Sequence, residues 1–83
     1  LAMNLIVYRK FGCPWSAAVI GFLNELDITF SVRNVTSHPE FARELKAKSS
    51  QFKSPTLDLD GQLLVDASVE EVAKLLETHG IVL

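Results

Sequence analysis

The sequence predicts an α/β domain in which a four-stranded mixed sheet is flanked by three helices, in the order β-α-β-α-β-β-α. Three observations predict it. Leu5-Ile6-Val7-Tyr8 is continuously apolar, as expected of a strand buried on both faces. Later segments carry apolar residues at three- and four-residue spacing, which gives helices that pack by one face. Asp60-Gly61 lies between two short apolar runs and signals a tight hairpin. Strand-helix-strand connections in one sheet make right-handed parallel crossovers, whereas the hairpin forces antiparallel pairing, so the sheet must be mixed.

The elements follow in order. The first strand, Leu5–Tyr8, is bounded by Arg9-Lys10 and Gly12. Ala18, Val19, Phe22, Leu23 and Leu26 then form one stripe on a helix from Pro14 to Leu26, with the proline in the first turn, where a missing N–H costs nothing. Ile28-Thr29-Phe30-Ser31-Val32-Arg33 alternates with period two and reads as the second strand. Thr36-Ser37-His38-Pro39-Glu40 carries helix-start signals, including a capping hydroxyl, before a short helix of about nine residues with Phe41, Ala42 and Leu45 on its apolar face. Ser49–Lys53 is a polar break, and Ser54-Pro55 imposes an extended or turn conformation. Leu57 and Leu59 alternate with Asp58 and Asp60 ahead of the turn, and Leu63-Leu64-Val65 follows it. Ser68-Val69-Glu70-Glu71 fits a capping box, and Val69, Val72, Ala73 and Leu76 stripe a last helix that Gly80 ends. Ile81-Val82-Leu83 either docks on the core or frays.

The 83 residues make one domain, 1–83, with a 48% apolar and 22% charged composition that excludes disorder. Leu1-Ala2, ahead of Met3, is set aside as an expression-vector remnant. The net charge of −2 argues against nucleic acid or an anionic membrane as partner. No apolar run spans a bilayer and no secretory leader is visible, so a cytoplasmic monomer is expected. One cysteine, Cys13, excludes an internal disulfide. His38 and His79 are expected at solvent-facing helix ends and no metal is expected, since nothing near them supplies partner ligands.

Cys13 falls between a strand end and a helix start, where unpaired N–H groups and the helix dipole favour an anion. With Lys10 three residues upstream, it reads either as a low-pKa nucleophile or as a small buried hydrophobe. Lys10, Lys46, Lys48 and Lys53 form a basic group that either surrounds the thiol or is a solvated face.

Here the chain resembles the glutaredoxins. Tyr8-Arg9-Lys10-Phe11-Gly12-Cys13-Pro14-Trp15-Ser16 is similar to their active-site segment, and Gln51-Phe52-Lys53-Ser54-Pro55 to the stretch before their cis-proline; the element order extends the resemblance to the whole chain. The resemblance implies a thioredoxin-like fold and a thiol-disulfide oxidoreductase that uses glutathione as co-substrate. Cys13 would be the attacking thiolate. Lys10 and Gln51 would meet the glycyl carboxylate of glutathione, Trp15 would border the thiol, and a cis Pro55 would turn the Ser54 backbone toward the tripeptide. Each has a plainer reading: a solvated lysine, a loop glutamine, a packing tryptophan, a trans turn proline.

The chain departs from the glutaredoxin pattern in three places. Ser16 stands where dithiol members keep a second cysteine, so Cys13 would act by a monothiol route on glutathionylated or disulfide-containing substrates. Val65-Asp66-Ala67-Ser68 lacks the family's Gly-Gly pair and is similar instead to the N-terminal domain of glutathione transferases. By that likeness Asp66 would bind the γ-glutamyl ammonium and the N–H groups around Ser68 its carboxylate; otherwise Ser68 is a helix cap and Asp66 a solvated strand end. Ser54 replaces a usual valine and makes the pocket more polar. Two other functions compete. An iron-sulfur carrier would take thiolates from Cys13 and bound glutathione in two subunits, but Pro14 replaces the glycine usual in cluster-binding members. A glutathione-binding module with little turnover would resemble a transferase N-terminal domain without its helical partner.

Overall fold

The computed structural model describes residues 3–83; the Leu1-Ala2 pair lies outside the described residues. The elements are β1 (Leu5–Arg9), α1 (Pro14–Glu25), β2 (Ser31–Asn34), α2 (Pro39–Ser49), β3 (Thr56–Leu59), β4 (Gln62–Leu64) and α3 (Val69–Thr78). They form a four-stranded sheet in the order β2-β1-β3-β4. β1 pairs parallel with β2, Val7 opposite Val32, and antiparallel with β3, Val7 opposite Leu57. β3 and β4 close the hairpin. Asp60 and Gly61 both take positive φ, 50° and 91°, the backbone that a two-residue turn between twisted strands requires.

The period of two along β1 sorts its side chains to two cores. Leu5 and Val7, with Leu57 and Leu59 of β3, face Val19 and Leu23 of α1 and Val72, Leu75 and Leu76 of α3. Ile6 and Tyr8 face the other way, toward Val35 and Leu45 under α2. A strand covered on both faces has no polar side to offer, which is why residues 5–8 are apolar without a break.

β2 begins three residues later than its alternation suggests. Ser31 is already opposite Ile6, so β1 has almost no residues left to pair with anything upstream. Ile28 and Phe30 pack instead against the α1/α3 core. α2 starts from His38 without a side-chain cap and runs 11 residues, not nine. The hydroxyl expected to cap it is used elsewhere: Thr36 Oγ1 accepts from the Phe11 amide at 3.0 Å. Ser37 Oγ lies 3.1 Å from His38 Nδ1. β4 is Gln62–Leu64, because a two-residue turn starts the strand at once and leaves Val65 beyond it. The capping box forms as expected, with the Glu71 amide donating to Ser68 Oγ (3.2 Å) and the Ser68 amide to Glu71 Oε1 (3.1 Å). No helix is long and apolar enough to cross a membrane among the described residues.

The α2 face is tied down by charge as well as by apolar packing. Asp58 stands opposite Ile6 and therefore points toward α2, where it is buried. Lys48 Nζ donates to Asp58 Oδ2 and to Tyr8 Oη, each at 2.7 Å. Tyr8 Oη in turn donates to Glu44 Oε1 at 2.5 Å, and Arg33 pairs with the same carboxylate. Desolvation acts to lower the Lys48 pKa, but the bonds to Asp58 and Tyr8 outweigh it and hold the pKa above its ordinary 10.5. A group whose pKa rises on folding stabilises the fold fully below its unfolded value and loses that contribution as pH climbs through the folded one.

Lys48→Met should therefore leave a buried carboxylate without its cation and lower stability by about 1–3 kcal/mol, read from the urea midpoint. The gap from wild type should be full from neutral pH up to 10.5 and narrow above it.

Candidate active site at the start of α1

The end of β1 delivers the thiol. After Arg9 the chain turns, with the Cys13 amide donating to the Lys10 carbonyl at 3.3 Å and Gly12 at a φ of +78° that other residues rarely adopt. Cys13 is the N-cap residue of α1, extended at φ −77° and ψ 114°, and its side chain makes no capping bond. The half-buried sulfur is left to the helix's free amides. Desolvation is the largest single influence on the thiol and pushes its pKa up. It is outweighed by the Ser16 and Ser54 hydroxyls together with the Ser16 and Trp15 amides, and the pKa falls from 9.0 to about 7.

The segment before β3 supplies the other wall. The Ser54–Pro55 peptide is cis, and the Ser54 carbonyl accepts from Cys13 Sγ at 3.6 Å. Ser54 Oγ accepts from the Lys10 amide at 3.0 Å and lies 2.5 Å from Ser16 Oγ. Ser16 is fully buried. The Pro55 carbonyl accepts from the Ala67 amide at 2.9 Å, which brings the stretch between β4 and α3 beside the proline. Four segments thus meet around Ser54-Pro55: the end of β1, the first turn of α1, the start of β3 and residues 66–68.

The residues singled out from the sequence are placed as follows. Cys13, Ser54 and Pro55 are together. Lys10 is exposed at the end of β1, and Trp15 is 69% exposed in the first turn of α1. Gln51 has its side-chain amide engaged within its own loop: it donates to Ser49 Oγ (2.6 Å) and Thr56 Oγ1 (3.3 Å) and accepts from the Lys53 amide (2.5 Å). Asp66 is exposed with φ 54°, next to the Ala67 anchor. Ser68 is the cap of α3, its hydroxyl bonded to Glu71. The basic group divides, since Lys48 is bound to Asp58 and Tyr8 on the α2 face and Lys46 lies 5.1 Å from the centre of the Phe52 ring. His38 is the exposed N-cap of α2, whereas His79, expected to face solvent, is half-buried with Nε2 3.2 Å from Gln62 Oε1.

Sequence reasoning missed two features. One is the pairing of Ser16 with Ser54, since the sequence presents Ser16 as an absent cysteine and Ser54 as a polar residue whose backbone turns toward the tripeptide; its one signal is two hydroxyl residues at positions each expected beside the same thiol. Phe11 and Phe52 are the other: with Trp15 they are exposed aromatic side chains on the segments that carry Cys13 and Ser54. A separate cavity near the chain's last residues, lined by Glu77, Gly80, Ile81, Val82 and Leu83, shares no residue with this site.

Comparisons with known proteins agree with this geometry. The glutaredoxin-like 8.6 kDa protein of the rubredoxin operon of Clostridium pasteurianum, itself uncharacterised, is 28% identical over 71 residues, covering 86% of this chain and 95% of that one. The crystal structure of the thioredoxin-like protein BC3987 superposes with a TM-score of 0.80 over 86% of this chain and 97% of that one, at 21% identity, a likeness of fold. An epsilon-class glutathione S-transferase from the housefly, Musca domestica, gives a TM-score of 0.67 at 25% identity over 92% of this chain but only 35% of its own. The Glutaredoxin family model matches residues 5–64, a span that holds both Cys13 and the Ser54–Pro55 bond. The fold is thioredoxin-like, and the chain belongs to the glutaredoxin family.

Proposed function

We propose that this protein is a glutathione-dependent thiol-disulfide oxidoreductase that acts on glutathione mixed disulfides by a monothiol mechanism. The observation that carries the reading is the position of Cys13, at a helix start beside Ser54 with its pKa lowered to about 7. Half of such a thiol is ionised at neutral pH, where one with a pKa of 9.0 would be ionised to about one part in a hundred.

The cycle uses two exchanges. The Cys13 thiolate attacks the glutathione sulfur of a mixed disulfide; a bond forms between those sulfurs, and the electron pair of the old bond leaves with the substrate thiolate, which takes a proton from water. A second glutathione, as thiolate, then attacks the glutathionyl sulfur, expels the Cys13 thiolate and departs as glutathione disulfide. Cys13 is the chain's only cysteine, so no step passes through an internal disulfide.

The tripeptide would lie across the four segments that meet at Ser54-Pro55. Its cysteinyl part follows the Ser54 main chain in the manner of an added strand, bordered by Trp15. Lys10, in no ion pair among the described residues, takes the glycyl carboxylate with help from Gln51 once that amide gives up a loop bond. Asp66 takes the γ-glutamyl ammonium, and the first turn of α3 at Ser68 its carboxylate. The protein works as a monomer in the reducing cytoplasm.

Two measurements test the reading. The rate of Cys13 alkylation by iodoacetamide should rise with pH through a midpoint of about 7, and Cys13→Ser should lose both the alkylation and glutathione-dependent reduction of a mixed disulfide. A midpoint near 9, or turnover that survives Cys13→Ser, would sink it. Lys10→Ala keeps the backbone amide that bonds Ser54 and should raise the KM for glutathione by about 3–10-fold with little change in kcat, the loss of one partly exposed ion pair.

A further inference from the structure

We propose that Ser16 and Ser54 form a positioning dyad: their two hydroxyls share one hydrogen bond and leave a single O–H for Cys13 Sγ whenever that sulfur carries negative charge. The inference builds on the thiol-exchange reading, but its central claim concerns the sulfur alone.

The count of donors leads to it. Two hydroxyls hold two protons between them, and at an Oγ to Oγ distance of 2.5 Å one proton occupies the bond they share. Ser54 Oγ also accepts from the Lys10 amide at 3.0 Å, which fixes it against the end of β1 and uses one of its lone pairs. Ser16 is fully buried, so water cannot take up whatever the pair leaves over. Whichever serine donates within the pair, the other retains one O–H, and the sulfur beside them is Cys13 Sγ, held 3.6 Å from the Ser54 carbonyl. The hydroxyls of both serines hold that thiol's pKa down. The charged residues of the adjoining segments, Lys10 after β1, Lys53 before Ser54 and Asp66 after β4, are exposed to solvent.

The dyad has a different task in each protonation state. As a thiol, Cys13 donates to the Ser54 carbonyl at 3.6 Å and needs no donor in return. On ionisation that donation is lost and the carbonyl oxygen becomes a repulsive neighbour. The remaining hydroxyl proton then supplies the stabilisation that the carbonyl cannot. The same geometry serves the second exchange, in which the disulfide electron pair moves onto Cys13 Sγ as it is expelled, because a sulfur whose anion is stabilised leaves faster. A valine at position 54 would remove both the anchor to Lys10 and the partner of the buried Ser16.

The test follows Cys13 alkylation by iodoacetamide against pH in Ser54→Val, Ser54→Thr, Ser16→Ala and the Ser16→Ala/Ser54→Val double variant, with far-UV circular dichroism and the urea midpoint confirming the fold. Ser54→Val should raise the alkylation midpoint and slow the reaction at pH 7 by about 3–10-fold, and Ser54→Thr, which keeps a hydroxyl, should restore it. The double variant should shift the midpoint by less than the sum of the two single changes, since either substitution alone already breaks the shared bond that aims the remaining O–H at the sulfur. Ser16→Ala alone decides the matter if Ser54→Val does not fold. A midpoint within about 0.2 pH unit of wild type in a folded single variant, or shifts that add in the double, overturns the dyad. These rates are read without glutathione, so a wild-type protein that turns over no mixed disulfide would remove the proposed function and leave the dyad standing. Unchanged alkylation with normal turnover would do the reverse.

Discussion

The antiparallel register between β1 and β3 underlies everything near the thiol. Leu5 opposite Leu59 and Tyr8 opposite Thr56 fix that register. Carried two residues past Tyr8, it sets Lys10 against Ser54, where the Lys10 amide bonds the serine hydroxyl. The strand that leads into Cys13 and the segment that carries the cis-proline are therefore aligned by the sheet, and the turn between β1 and α1 has only four residues, 10–13, to place. A slip of one residue would reverse every side chain of β3. Asp58 would then enter the apolar core beneath α1 and α3, and Leu57 and Leu59 would face the polar side of α2. The cost of that exchange protects the register, and the register protects the site.

The two faces of the sheet are held in different ways. Beneath α1 and α3 the contacts are apolar and extensive, and the start of α1 inherits that rigidity through Val19 and Leu23. Beneath α2 the core is small, and Tyr8, Asp58, Glu44, Arg33 and Lys48 link helix to sheet through a connected set of hydrogen bonds and ion pairs. A set in which each polar group has a partner is strong while complete and costly when one member is removed. α1, which carries the thiol, does not depend on it.

Most of the architecture could be read from the residues because its signals are local. The unbroken apolar run of β1, the Asp60-Gly61 turn and the Ser68–Glu71 capping box each state their structure within a few positions. The late start of β2 could not be read this way, because it depends on where a partner strand begins. Thr36 looks like a cap in isolation and is taken by the Phe11 amide 25 residues away. Lys48 looks like a solvated cation until Asp58 is known to face it. At the site, the meeting of Cys13 with Ser54 and a cis Pro55 is legible from the motif, whereas the bond between Ser16 and Ser54 joins residues 38 apart and leaves no local trace.

The burial of Ser16 reaches beyond the present chemistry. Serine and cysteine differ by one atom, and position 16 sits in the first turn of α1 facing the protein interior. A sulfur placed there would be closed to external thiols and could meet only the sulfur already bonded at Cys13. In the proposed cycle a cysteine at position 16 would release the glutathione held on Cys13 by forming an internal disulfide, which external thiol would still have to reduce, so a single atom in a dry site would decide which disulfide the second small thiol meets. Evolution could cross that step in either direction while leaving the scaffold alone.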